Sequence, residues 1–170
     1  MKDFNEALFL SKVNNVFVKF FTAIMLDELN TIDHFVSDEV YEYGEDILNI
    51  NKNAGYTKMY DMINVKSSKI TNIEETDKEY IIDVFVESRY LDYRINNEDG
   101  SIEGDNKDRV QVDYNLTFKK NKNAEESDIV KKCPGCGRSI DVNDSGACEY
   151  CGAIYNQEDF DWVLTNIEEN

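Results

Sequence analysis

An α+β fold is what this sequence predicts: helices packed on one face of a curved antiparallel sheet, with a small metal-bound ribbon late in the chain. Three observations predict it. Apolar residues recur at helical spacing over the first fifty residues, the period shortens to two after Gly55, and all four cysteines fall into two Cys-x-x-Cys pairs. Helices first and strands afterwards reads as helices covering one face of a meander.

The elements follow in order. Phe9, Val13, Val16, Phe17, Phe20 and Ile24 recur at three- and four-residue steps and define the buried face of a long helix. Thr31 or Asp33 is placed to cap a short helix holding Phe35 and Val36. Ser37-Asp38-Glu39 opens a third helix, buried along Val40, Tyr43, Ile47 and either Leu48 or Ile50. Met62 to Ile73 reads as a first strand, carried by Ile63, Val65 and Ile70. Tyr80, Ile82, Val84 and Val86 alternate with Asp83, Phe85 and Glu87 in a second, which continues toward Tyr93. The cleanest alternation is the third, in which Val110, Val112, Tyr114, Leu116 and Phe118 make one buried face and the residues between them a wet one. Asn96 to Asp108, with Gly100 and Gly104, reads as the turn-rich connection between strands two and three. Phe160, Trp162, Val163 and Ile167 predict an amphipathic terminal helix anchored by Trp162, the sole tryptophan. The domain reading is 1–121 for the helix-and-sheet unit, 122–132 for a polar linker, 133–156 for the ribbon and 157–170 for the terminal helix.

The ribbon is the most specific signal. Cys133, Cys136, Cys148 and Cys151 form two knuckles, each followed by glycine, with eleven residues between Cys136 and Cys148. Four thiolates so spaced close a tetrahedron around one Zn²⁺. With sulfur in all four corners no position is left for water or substrate, so the expected metal is structural. A redox dithiol and a disulfide framework are the weaker readings: a redox pair sits between a strand and a helix, and no secretory segment precedes these cysteines.

Charge narrows the partners. The chain carries a formal charge of −17, of which −10 lies in residues 1–121 and −7 in residues 122–170. Zinc ribbons that grip nucleic acid do so with Lys and Arg, whereas between Cys133 and Cys151 a single Arg138 faces Asp141, Asp144 and Glu149. Nucleic acid is therefore not an expected partner, and an anionic membrane surface is disfavoured for the same reason. The acidity reads as the solvated surface of a cytoplasmic protein. The apolar stretch from Val16 to Leu29 is broken by Lys19, Asp27 and Glu28 and falls short of a bilayer span, so membrane contact is expected to be peripheral, through a partner or a segment outside this chain.

Candidates for catalysis are few. His34 is the only histidine, and it has no Cys or Ser partner close in sequence. Asp92, Tyr93 and Arg94 cluster at a strand end, and Tyr114 lies on the buried face of the third strand. No glycine-rich phosphate loop is present, and the acids around Asp99 and Asp105 lack the alternation of a calcium loop.

The order of motifs resembles the Tim44-like domain family. It runs from Val-Phe-Val-Lys-Phe-Phe-Thr-Ala through Ile-Asp-His-Phe-Val-Ser-Asp-Glu-Val-Tyr and Val-Lys-Ser-Ser-Lys-Ile to Asp92-Tyr93-Arg94 and Leu116-Thr117-Phe118-Lys119. The tail, two cysteine knuckles followed by Asp-Phe-Asp-Trp-Val-Leu, looks like that of a bacterial branch with a zinc ribbon. The resemblance implies a nuclear-transport-factor-two-like cone, a curved sheet wrapped around a long helix to enclose an apolar pocket. It also implies a transport-related role without catalysis, although the acidic charge opposes the inner-membrane contact known in the mitochondrial member. The expected function is a non-enzymatic scaffold that binds a protein partner, with a small apolar ligand or a homodimer as further expectations. The alternative is an isomerase-type enzyme using His34, Asp92, Tyr93 and Tyr114 in the cone.

Overall fold

The computed structural model describes residues 1, 4–122, 131–132, 136, 139–140, 150–151 and 162–170. Helix α1 (Glu6–Leu26) begins where Asn5 accepts a hydrogen bond from the Leu8 N–H at 3.0 Å and ends where Asp27 turns left-handed at φ 56°. By length and composition α1 is apolar enough to cross a membrane. Here its Phe9, Val13, Phe17, Phe20, Phe21 and Ile24 are buried, and the helix fills the core. Helix α2 (Asp38–Asn53) is capped by Ser37, as its sequence predicts, with Asp38 and Glu39 in the first turn complementing the helix dipole. It crosses α1 closely at Gly44, where a Cβ would sit 3.1 Å from both Leu29 and the Phe20 ring.

Four long strands form one antiparallel sheet in the order β1-β2-β4-β7. They are β1 (Tyr56–Glu75), β2 (Glu79–Asn96), β4 (Val110–Asn121) and β7 (Trp162–Glu169), with short β3 (Ile102–Gly104) beside the end of β2. A separate two-stranded hairpin pairs β5 (Lys131–Lys132) with β6 (Ser139–Ile140). The inner face of the sheet (Ile82, Val84 and Val86 of β2; Tyr114, Leu116 and Phe118 of β4; Leu164 and Ile167 of β7) packs against α1. Aromatic rings join the layers: Phe9 meets Trp162 at 4.9 Å, and Phe17 meets Tyr114 at 5.2 Å. Trp162 is a packing anchor.

Three sequence expectations change. The helix expected around Phe35 and Val36 is a single 3-10 turn over Leu29–Ile32, followed by a turn through residues 33–35 and an isolated β-bridge at Val36. The bridge is parallel to β7: the Leu164 N–H donates to the Phe35 carbonyl and the Ser37 N–H to the Leu164 carbonyl, each at 2.9 Å. The turn-rich connection between strands two and three contains β3. Gly104 ends it at φ 112°, and a Cβ there would lie 2.6 Å from the Asp92 carbonyl oxygen.

The largest correction is the terminal helix, whose residues 162–169 form β7 instead. Leu164 pairs with Phe118 and Asn166 with Thr117, which leaves Thr165 as the extra residue of a β-bulge. The bulge moves the next inward side chain from position 166 to Ile167. A three-residue step between Leu164 and Ile167 then imitates helical spacing. β7 also completes the sheet that the domain reading closed at residue 121, so residues 122–161 are an insertion between neighbouring strands.

Leu164 is wholly buried between β4 and the Phe35–Ser37 segment. Leu164→Ala is expected to destabilise the protein by about 3 kcal/mol, read as a lower urea midpoint at unchanged slope.

Candidate functional site

The four expected metal ligands divide between described and undescribed residues. Cys133 and Cys148 lie outside the described residues, while Cys136 and Cys151 are exposed. Lys132 pairs with Ser139 and Lys131 with Ile140, so the first Cys-x-x-Cys pair falls in the loop of an antiparallel hairpin. A set of four soft sulfur donors fits zinc by its chemistry. Among the described residues no group of three or more potential ligands gathers.

The residues considered for catalysis do not converge. His34 stands half-buried just beyond the 3-10 turn. Asp92 pairs at the sheet rim with Lys58, which also lies over the Tyr60 ring at 4.5 Å. Tyr93, the next residue along β2, points to the opposite face and donates to the Asp61 carboxylate at 3.0 Å. Tyr114 is interior, with its hydroxyl 3.1 Å from that of Tyr90. Apart from tyrosines, Ser88 is the buried polar side chain among the described residues, and its hydroxyl donates to the Val112 carbonyl at 2.7 Å. No carboxylate is buried with these phenols among the described residues. Burial pushes the Tyr60 and Tyr114 phenols far above their ordinary value. Burial also pushes Tyr90 up to about 12, against the lowering effect of its hydrogen bond with Tyr114. All three are neutral at neutral pH, poorly matched to proton transfer there.

The open concavity lies elsewhere, as a groove of about 740 Å³ along α1, between Phe35 on one side and β1 on the other. Val16, Val18, Phe35, Ile63 and Val65 supply its apolar lining. Its polar lining includes Lys12, Lys19, Asn14, Asn15 and Asn64, with no carboxylate among the described lining residues. Lys19 lies 5.1 Å from the Phe35 ring centre.

A bulge in β1 shapes the far wall. Asp61 pairs with Leu91 and Asn64 with Arg89, so Met62 and Ile63 together oppose Tyr90. Met62 adopts φ 53°, a left-handed conformation that suits glycine, and its side chain is 63% exposed. The Asp61 carboxylate accepts from the Met62 N–H at 2.9 Å and supports the turn. Sequence reasoning missed this groove because it followed the apolar face of α1, and Lys12, Asn15 and Lys19 are not among the residues of that face. The interrupted alternation at Met62-Ile63 was the available signal.

Comparison with known proteins places these features in context. The family model described as Tim44-like domain matches residues 1–128. No curated protein matches the chain. Among solved structures, the chain is similar to the crystal structure of the intermembrane space region of chloroplast protein ARC6, at 8% identity, 91% coverage of each chain and a TM-score of 0.44.

The buried phenols make stability sensitive to alkali. Their folded-state pKa values lie above the ordinary value of the unfolded chain, so their contribution is fully present below pH 10 and is lost as pH rises through the folded values. Urea midpoints are expected to fall above pH 10. Absorbance at 295 nm should show part of the tyrosine population ionising only when the protein unfolds.

Proposed function

The chain belongs to the Tim44-like domain family, and from that premise we propose that it is a non-enzymatic binding module holding a protein partner within a membrane-associated assembly. The observation that carries this reading is the division between interior and surface. The core between the helices and the sheet is filled by aromatic side chains and neutral phenols, whereas an open concavity among the described residues lies outside it, along α1. A filled interior leaves little for a substrate, and an outer groove is the geometry of a docking surface. Membrane association is assigned to the partner. The apolar face of α1 is committed to the core, and a net charge of −17 disfavours direct contact with anionic lipid.

The test is photo-crosslinking from Val16 and Val65 in native lysate, followed by mass spectrometry. Recovery of one reproducible protein partner at both positions supports the reading. Crosslinks to small molecules alone, or turnover of a small substrate by the purified protein, reverse it.

The second element of the proposal is one structural Zn²⁺ held by Cys133, Cys136, Cys148 and Cys151. Bound there, the metal closes the ribbon by tying its two knuckles together. Because the ribbon is inserted between β4 and β7, metal loss lengthens a loop rather than opening the core. Each doubling of loop length costs only about 0.6 kcal/mol. Elemental analysis should find one zinc per chain, lost in Cys133→Ser. Chelation should expose residues 131–156 to protease while the main thermal transition moves by a few degrees. A metal-free protein with full protease resistance in that segment refutes the assignment.

A further inference from the structure

We propose that the protein forms a two-fold symmetric dimer in which β1 pairs antiparallel with β1 of a second copy, Lys69 opposite Glu74 and Ile70 opposite Ile73. This goes beyond the binding-module reading and does not depend on it.

β1 is an outer strand of the sheet, and among the described residues no strand pairs with its far edge. Its second half is open to solvent: Lys66, Ser67, Lys69 and the run from Thr71 to Glu75 are exposed, Ile73 by 52%. An unpaired edge carries a row of main-chain donors and acceptors that a further strand can satisfy.

The sequence of that edge says which strand fits. Bases come first, at Lys66 and Lys69, and acids last, at Glu74 and Glu75. A segment basic at one end and acidic at the other is matched by its own reversed copy. Lysines and bulges guard an edge against strands at large, and a second copy brings acids at the matching distance. Neither Lys69 nor Glu74 is in an ion pair among the described residues; Lys69 lies 5.7 Å from the Phe85 ring centre. Glu75, already paired with Lys122 at 2.6 Å, is not used.

The bulge at Thr71 fixes the register. Ile70 pairs with Val84 and Asn72 with Asp83, so Thr71 is an extra residue. Lys69 and Glu74 are an odd number of positions apart, which in a regular strand puts side chains on opposite faces. The extra residue returns them to one face. Lys69 lies opposite Phe85 and Glu74 opposite Ile81, whereas Ile70 and Ile73 lie opposite the buried Val84 and Ile82 of the inner face. A two-fold axis between residues 71 and 72 therefore sets base against acid on the outer face and isoleucine against isoleucine on the inner one. The two bulges meet at the axis, and neither copy is left with an unmatched residue.

The test is sedimentation equilibrium of the zinc-loaded full chain from micromolar to millimolar concentration. A monomer–dimer equilibrium is expected, with the mean mass rising toward twice that of the chain. Lys69→Glu and Glu74→Lys each set like charges together twice across the axis, and each is expected to weaken self-association at least tenfold. Mixed in equal amounts, the two variants restore opposite charge at every pair, so the mixture should regain dimer to within threefold of wild type. Thermal melting checks that both variants fold. If either does not, Ile73→Lys, at an exposed position, replaces the pair and should weaken the dimer at least tenfold. A wild-type protein that stays monomeric at millimolar concentration overturns the proposal. So does a dimer that the folded variants leave unchanged, and so does loss in both charge variants without recovery on mixing.

Discussion

Around Leu164 the last strand is paired on both edges, and the rest of the fold depends on this arrangement. One edge of β7 continues the sheet through β4, and the other accepts and donates main-chain hydrogen bonds with Phe35 and Ser37. Ser37 is also the residue that caps α2. The start of α2 is thereby tied to β7, and the α1–α2 pair is held across the inner face of the sheet. The pairing also covers part of an edge that would otherwise be open to another strand. Once it is made, α1 can lie with four phenylalanines buried against the sheet and the 3-10 turn.

That packing decides where chemistry can occur. Phenols take up the polar positions of the interior and are held neutral, and charged groups are kept to the rim, where exposed pairs such as Lys52–Asp27 contribute little individually. The groove along α1 gathers the left-handed backbone of Met62 at its edge and the buried Asn14 amide oxygen in its lining.

The insertion between β4 and β7 separates two demands on the chain. Adjacent strands lie about 5 Å apart, so a segment leaving β4 and returning at β7 begins and ends at almost one point. Such an insertion can carry the proposed zinc ribbon while the sheet keeps its register. The Tim44-like match covers residues 1–128, and the sheet is completed by residues beyond it.

Local rules were enough for much of this. The helical face of α1, the Ser37 cap and the alternation in β2 and β4 are short-range patterns, each following from the geometry of a few neighbouring residues, and the structure carries them with two exceptions: Val16 lines the groove instead of the core, and Val110 at the start of β4 is exposed. The knuckle spacing of the four cysteines is a local pattern of the same kind, and it carries the zinc proposal. Tertiary structure decided the rest. Whether Trp162 to Glu169 became helix or strand turned on an open edge at β4, forty residues earlier in the chain, and on a bulge that disguised its period. Its β-branched Val163, Thr165 and Ile167 were the local signal for a strand. The groove likewise exists only because a bulge in β1 is brought beside a helix flank whose polar residues look ordinary in sequence. Periodicity reports which side of an element is buried, but a binding surface is made by what a distant segment places next to the side left exposed.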